Sequence, residues 1–145
     1  MDTNRATRIL GEGYTCAESV LRAVSEEYEI DIEHPHIAMG FGGGMGFMGE
    51  VCGAVSGAVM AIGIVKGPVE NQQEFQEIMP LVQDFRHRFE TEMETISCRE
   101  LTGMDLSKPG GFEEFMQSEV PEKVCTRAVD TAYRLVMDVL KEDGQ

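Results

Sequence analysis

The stretch Glu50–Lys66 reads EVCGAVSGAVMAIGIVK. Between its charged ends lies the longest apolar run of the chain, 15 residues from Val51 to Val65. That is short for a membrane span and suits a buried helix. Gly53, Gly57 and Ala61 recur every four residues, as do Ala54 and Ala58. Small residues at that spacing let a second helix pack at close range. The pattern predicts a helix buried on most sides and ended by Gly67-Pro68.

Upstream, Gly40–Gly49 (GFGGGMGFMG) holds six glycines in ten residues. No regular element tolerates that density well. A flexible linker would carry fewer apolar groups than Phe41, Met45, Phe47 and Met48. The stretch reads as an ordered loop whose backbone approaches something closely. The rest is helical in pattern. A short helix is expected over Thr3–Leu10, with a break at Gly11 and Gly13. Thr15 and Glu18 form a T-x-x-E capping box opening a helix to about Tyr28, with Val20, Leu21 and Val24 inward. His34-Pro35-His36 begins another short segment. A long amphipathic helix is expected over Asn71–Thr91, with Phe75, Ile78, Leu81, Val82, Phe85 and Phe89 inward and a kink or break at Pro80. Ser97 and Glu100 form a second capping box, for a short helix stopping at Gly103. Pro109-Gly110-Gly111 marks a loop, and Pro121 fits the first turn of a last helix to about Lys141. The expected fold is all-α: one domain over residues 1–145, a bundle of five or six helices, with a glycine-rich loop leading into a buried central helix.

The chain has 145 residues, 42% of them apolar, enough for one core without staples. Twelve basic and 26 acidic side chains give a net charge of −14. Such a surface repels phosphate backbones and anionic membranes, so neither a nucleic-acid partner nor membrane insertion is expected. No secretory signal pattern is visible, and the expected location is the cytoplasm. The apolar stripes of the Asn71–Thr91 helix and the last helix raise the expectation of a homodimer.

Cysteines stand at Cys16, Cys52, Cys98 and Cys125, separated by 36, 46 and 27 residues. No C-x-x-C pair exists, so thioredoxin-like and zinc-finger spacings are absent. Each falls in or beside the first turn of an expected helix. Free amides and the helix dipole favour negative charge there, and the thiolate is both the nucleophile and the metal ligand. Against this, free cysteine often packs as a small hydrophobe. His34 and His36 read as surface residues, and Met45 and Met48 as gap-fillers. Gly44–Gly49 matches G-x-G-x-x-G, but no strand precedes it and no βαβ unit surrounds it. The acidic runs Glu26-Glu27 and Glu90–Glu94 read as solvated helix faces.

Cys16 in GYTCAESVL, the block FGGGMGFMGEVCGAVSGA from Phe41 to Ala58, Cys98 in SCRELTG and Cys125 together resemble the C-GCAxxG-C-C family. Its Cys-Gly-Ala-x-x-Gly motif reads here Cys52-Gly53-Ala54-Val55-Ser56-Gly57. The resemblance runs from Gly11 to the last helix. It implies a redox-active protein working through its four cysteines, with an unidentified redox partner.

Two chemistries follow. The four thiolates converge either as ligands of an iron–sulfur cluster or zinc, or as a dithiol/disulfide pair, with Cys16 and Cys52 expected closest. In both, the backbone of Gly42, Gly43, Gly44, Gly46 and Gly49 reaches sulfur. The alternative is a module in which this loop and the adjacent helix start hold a small molecule or anion beside non-redox cysteines. An all-helical domain with inert core thiols is the third reading.

Overall fold

The computed structural model describes residues 1–144, and among them it is all-α. Eight helices run in the order α1 (Arg5–Gly11), α2 (Cys16–Glu27), α3 (Gly42–Met45), α4 (Gly53–Lys66), α5 (Gln72–Met93), α6 (Cys98–Thr102), α7 (Gly111–Gln117) and α8 (Thr126–Asp143). A 3₁₀ segment, Pro35–Phe41, precedes α3, and a π turn, Pro121–Cys125, precedes α8. The expectation of five or six helices is thus corrected. The surplus comes from α3, a single turn of glycines, and α7, which starts inside the expected Pro109-Gly110-Gly111 loop. Gly110 takes φ +75° there and caps α7.

The capping box of α2 forms as read. The Thr15 hydroxyl accepts from the Glu18 N–H at 3.2 Å, and the Glu18 carboxylate accepts from the Thr15 N–H at 3.1 Å. Such a cap contributes about 1 kcal/mol. At α6 only half of the box forms. Ser97 accepts from the Glu100 N–H at 3.2 Å, but the Glu100 carboxylate accepts from the Thr95 hydroxyl instead.

Helices α2 and α4 meet at close range. A Cβ placed on Gly57 would stand 2.3 Å from the Ala17 carbonyl oxygen. One placed on Gly53 would stand 2.4 Å from the Cys16 sulfur. Backbone therefore meets backbone, as the small-residue spacing requires. The helix starts at Gly53 rather than Glu50, because Val51 is drawn into a β-bridge with Ser97. Its far end is less buried than expected: Gly63 and Ile64 face solvent.

The centre of the core is shared. α8 packs against α1, α2, α4 and α5, and buries Val129, Ala132, Tyr133, Val136 and Leu140 among others. α5 packs on α8 and α4 through its second half, where Phe85, Phe89 and Met93 are buried. Its first turns stand clear, so Phe75, expected inward, is 49% exposed, whereas Ile78, Leu81 and Val82 are half-buried against the core. Pro80 neither ends nor splits α5. It lies on the exposed side, where the carbonyl its missing N–H leaves free meets water. No helix among the described residues is long and apolar enough to cross a membrane.

Candidate functional site

The glycine-rich stretch is an ordered structure of unusual hand. Gly43, Gly44, Met45, Gly46 and Phe47 all take positive φ, between 63° and 76°. L-residues resist this conformation by about 1–2 kcal/mol each, which accounts for three of the five being glycine. The turn is stitched by its own backbone. Gly46 N–H donates to Gly40 O at 2.8 Å, Gly49 N–H to Gly43 O at 3.1 Å and Glu50 N–H to Gly44 O at 3.0 Å. A Cβ on Gly43 would strike the Phe47 ring at 2.1 Å, and one on Gly44 would stand 2.8 Å from Cys98 Cβ. Glycine here lets the turn lie flat against Phe47 and Cys98.

From this turn the chain enters the short antiparallel pairing that sets the site. Cys52 N–H donates to Ile96 O and Cys98 N–H donates to Glu50 O, both at 2.7 Å, on either side of the Val51–Ser97 bridge. Neighbours along an extended strand point to opposite faces. Val51 and Ser97 therefore share one face, and Cys52 and Cys98 share the other.

All four cysteines line one cavity of about 530 Å³, and all four are free thiols. Cys16 opens α2, Cys52 is the residue before α4, Cys98 opens α6 and Cys125 closes the π turn before α8. Cys125 is thus inside a continuous helical run rather than at its start. The remaining wall is mainly apolar: Leu10, Phe47, Leu101, Leu106, Phe112, Phe115, Met116 and Val124. Phe47 and Phe112 meet with ring centroids 4.7 Å apart. Glu122 is the one charged side chain in the lining, and it is exposed.

Of the glycines expected to face sulfur, Gly42 and Gly43 line the cavity. Gly44 lies beneath Cys98, Gly49 against Arg99, and Gly46 faces open space. The backbone amides that favour negative charge on Cys16 come from Gly43, Ala17 and Gly53. The glycine turn therefore reaches the Cys16 sulfur, and those of Ala54 and Val55 reach toward Cys52.

These amides do not win. Burial pushes every thiol upward: Cys16 above the usual range, Cys52 well above it, Cys98 to about 11 and Cys125 to about 12. The expectation that helix starts would favour thiolates is reversed, because an apolar cavity penalises charge more than a partial dipole rewards it. The thiols also oppose one another's ionisation. Cys16 raises Cys52, Cys98 and Cys125. On Cys52 the charge of Cys16 acts more strongly than that of Cys98. Only Cys98 has a cation nearby, Arg99, which draws it down.

A loss of stability in alkali follows. An unfolded thiol ionises near pH 8.5, whereas Cys98 and Cys125 hold their protons to about 11 and 12. Below pH 8 both states are protonated and stability is unaffected. Above it the unfolded chain ionises first, and each such thiol costs about 1.4 kcal/mol per pH unit until the folded thiol ionises too. Thermal melts from pH 8 to 10.5 should show Cys125→Ala losing less stability than the parent. Parallel declines would contradict the raised thiol.

Among the described residues, no group of three or more His, Cys, Asp or Glu side chains is placed to hold a metal ion. His34 and His36 sit ring to ring at 5.4 Å, away from the cavity lining, with His34 exposed. The Val51–Ser97 bridge and the wall from α7 are invisible to motif reading. Only the isolated Phe112, Phe115 and Met116 after a glycine pair hinted at the latter.

Residues 14–139 match a family model described as "Putative redox-active protein (C_GCAxxG_C_C)". The chain belongs to this family. No curated protein and no solved structure is matched by this chain.

Proposed function

We propose that the chain is a dithiol/disulfide redox protein, with Cys16 and Cys52 as the exchanging pair and Cys98 and Cys125 beside them. One observation carries this reading: four cysteines far apart in sequence line a single cavity. The Cys16 sulfur lies against Gly53, the residue after Cys52, and is the thiol Cys52 feels most strongly. In the reduced state both thiols keep their protons. On oxidation two S–H bonds break and one S–S bond forms, and two protons and two electrons pass to an acceptor. Reduced and oxidised forms are both uncharged, which suits an apolar cavity.

An iron–sulfur cluster or zinc is less well supported. Among the described residues no group of three or more His, Cys, Asp or Glu side chains is placed to hold a metal ion, and the cavity lining has no basic side chain to offset a cluster's charge. An anion site is disfavoured on the same ground. Reduced resting thiols fit a cytoplasmic location. If a homodimer forms, the first half of α5, with Phe75 and Met79 exposed, is the surface that supports it, since the stripe of α8 is buried in the core.

The test is oxidation of the reduced protein with diamide, an acid quench, then alkylation after unfolding. The oxidised chain should take up two fewer alkyl groups, and peptide mapping should find Cys16 joined to Cys52. Cys16→Ser and Cys52→Ser should each abolish that peptide. Four alkylated thiols after diamide treatment of the native protein would reject the proposal.

A further inference from the structure

Resting on the dithiol reading, we infer that the four-cysteine cavity takes an uncharged, apolar two-electron oxidant of the quinone class, which accepts hydrogen directly from the thiols. Three observations point the same way. The first is size: about 530 Å³ lies within the usual range for a cavity that encloses a small organic molecule. The second is chemistry of the wall. Phe47, Phe112 and Phe115 present ring surface, suited to stacking on a flat ring, and Leu101 and Leu106 complete an apolar enclosure. No Lys, Arg or His lines it, and the exposed Glu122 repels anions.

The third is the state of the polar groups. The hydroxyls of Thr102 and Thr126 already donate to backbone carbonyls, Cys98 O at 2.8 Å and Pro121 O at 3.4 Å. The four thiols and the Tyr14 hydroxyl are therefore the side-chain hydrogen donors left on the wall, and burial keeps the thiol protons in place. Exchange with a dissolved disulfide proceeds through an attacking thiolate, which this cavity resists. With a quinone the net exchange leaves no charge in the cavity. Two S–H bonds break, one S–S bond forms, and both protons and both electrons go to the quinone oxygens, giving two O–H bonds. Dithiol and quinone become disulfide and hydroquinone, and neither side of the balance carries charge.

The entrance is consistent with such a guest. Met116, 56% exposed, and the Phe47–Phe112 pair form an apolar rim.

The experiment mixes anaerobic, reduced protein with duroquinone, whose fully substituted ring cannot be arylated by thiols. One hydroquinone per chain should form as two thiols disappear, and the rate should saturate with duroquinone. The non-oxidising ketone 1-tetralone should slow it competitively. Glutathione disulfide, which is anionic, should react at least 100-fold more slowly. Met116→Lys should raise the half-saturating duroquinone concentration at least tenfold; if that variant does not fold, competition by 1-tetralone decides. Diamide oxidation without duroquinone reduction would overturn the substrate class and leave the dithiol reading standing. So would a duroquinone rate that is linear in concentration and indifferent to 1-tetralone, or glutathione disulfide reacting as fast. Failure of diamide as well would overturn the dithiol reading itself.

Discussion

Gly57→Ala is expected to cost about 3 kcal/mol, at the upper end of overpacking penalties, and to lower the melting temperature by about 10 °C. The added methyl would stand 2.3 Å from the Ala17 carbonyl oxygen and 3.0 Å from Ala17 Cα. Both are backbone atoms of α2, so no rotamer change makes room. The helix itself must retreat, opening the seam that also seats Cys16 against Gly53. Gly57→Leu should leave little folded protein, since whole-domain stability is only about 5–15 kcal/mol. Gly63 in the same helix is the contrasting case. Nothing lies within 4 Å of a Cβ there. Gly63→Ala should therefore gain about 0.5–1 kcal/mol from helix propensity alone. Equal melting of Gly57→Ala and the parent would show that α2 and α4 do not meet backbone to backbone.

The second large effect concerns thiol reactivity. With Cys98 at about 11 against about 8.5 for free cysteine, its thiolate fraction at pH 7 is lower by about 300-fold. Cys52 lies higher still. Iodoacetamide should therefore label Cys52, Cys98 and Cys125 of the folded, reduced protein at pH 7, read by peptide mapping, at least 100-fold more slowly than it labels free cysteine. The rate should keep rising about tenfold per pH unit beyond pH 9, where free cysteine levels off. Cys52, Cys98 or Cys125 labelling at the free-cysteine rate, with a plateau near pH 8.5, would contradict the buried, neutral site.

Much of the scaffold was legible because it rests on local rules. The Thr15–Glu18 box, the four-residue spacing of Gly53 and Gly57, and the glycine at position 103 each act within one turn of helix. What escaped was non-local. The Val51–Ser97 bridge pairs residues 46 apart, and no propensity marks a single bridge in an all-helical chain. It delays the start of α4 and turns Cys52 and Cys98 to one face. The direction of the thiol shifts escaped for the same reason. A helix start is visible in sequence, whereas the surrounding wall comes from segments as distant as Leu10 and Val124. The wall dominates the electrostatics. Phe75 failed as a core residue because periodicity shows which side of α5 is apolar, not how far its neighbours extend along it.

The site is assembled from residues 16, 52, 98 and 125, and α8 packs over α1, α2, α4 and α5. During synthesis, at about 5–20 residues per second, the early cysteines emerge well before α8 exists to complete the core. In that interval their thiols are solvated and ionise like free cysteine. The nascent chain is thus more open to oxidant than the finished protein. Protection of the thiols is a product of folding, and it arrives late, when Thr126–Asp143 docks.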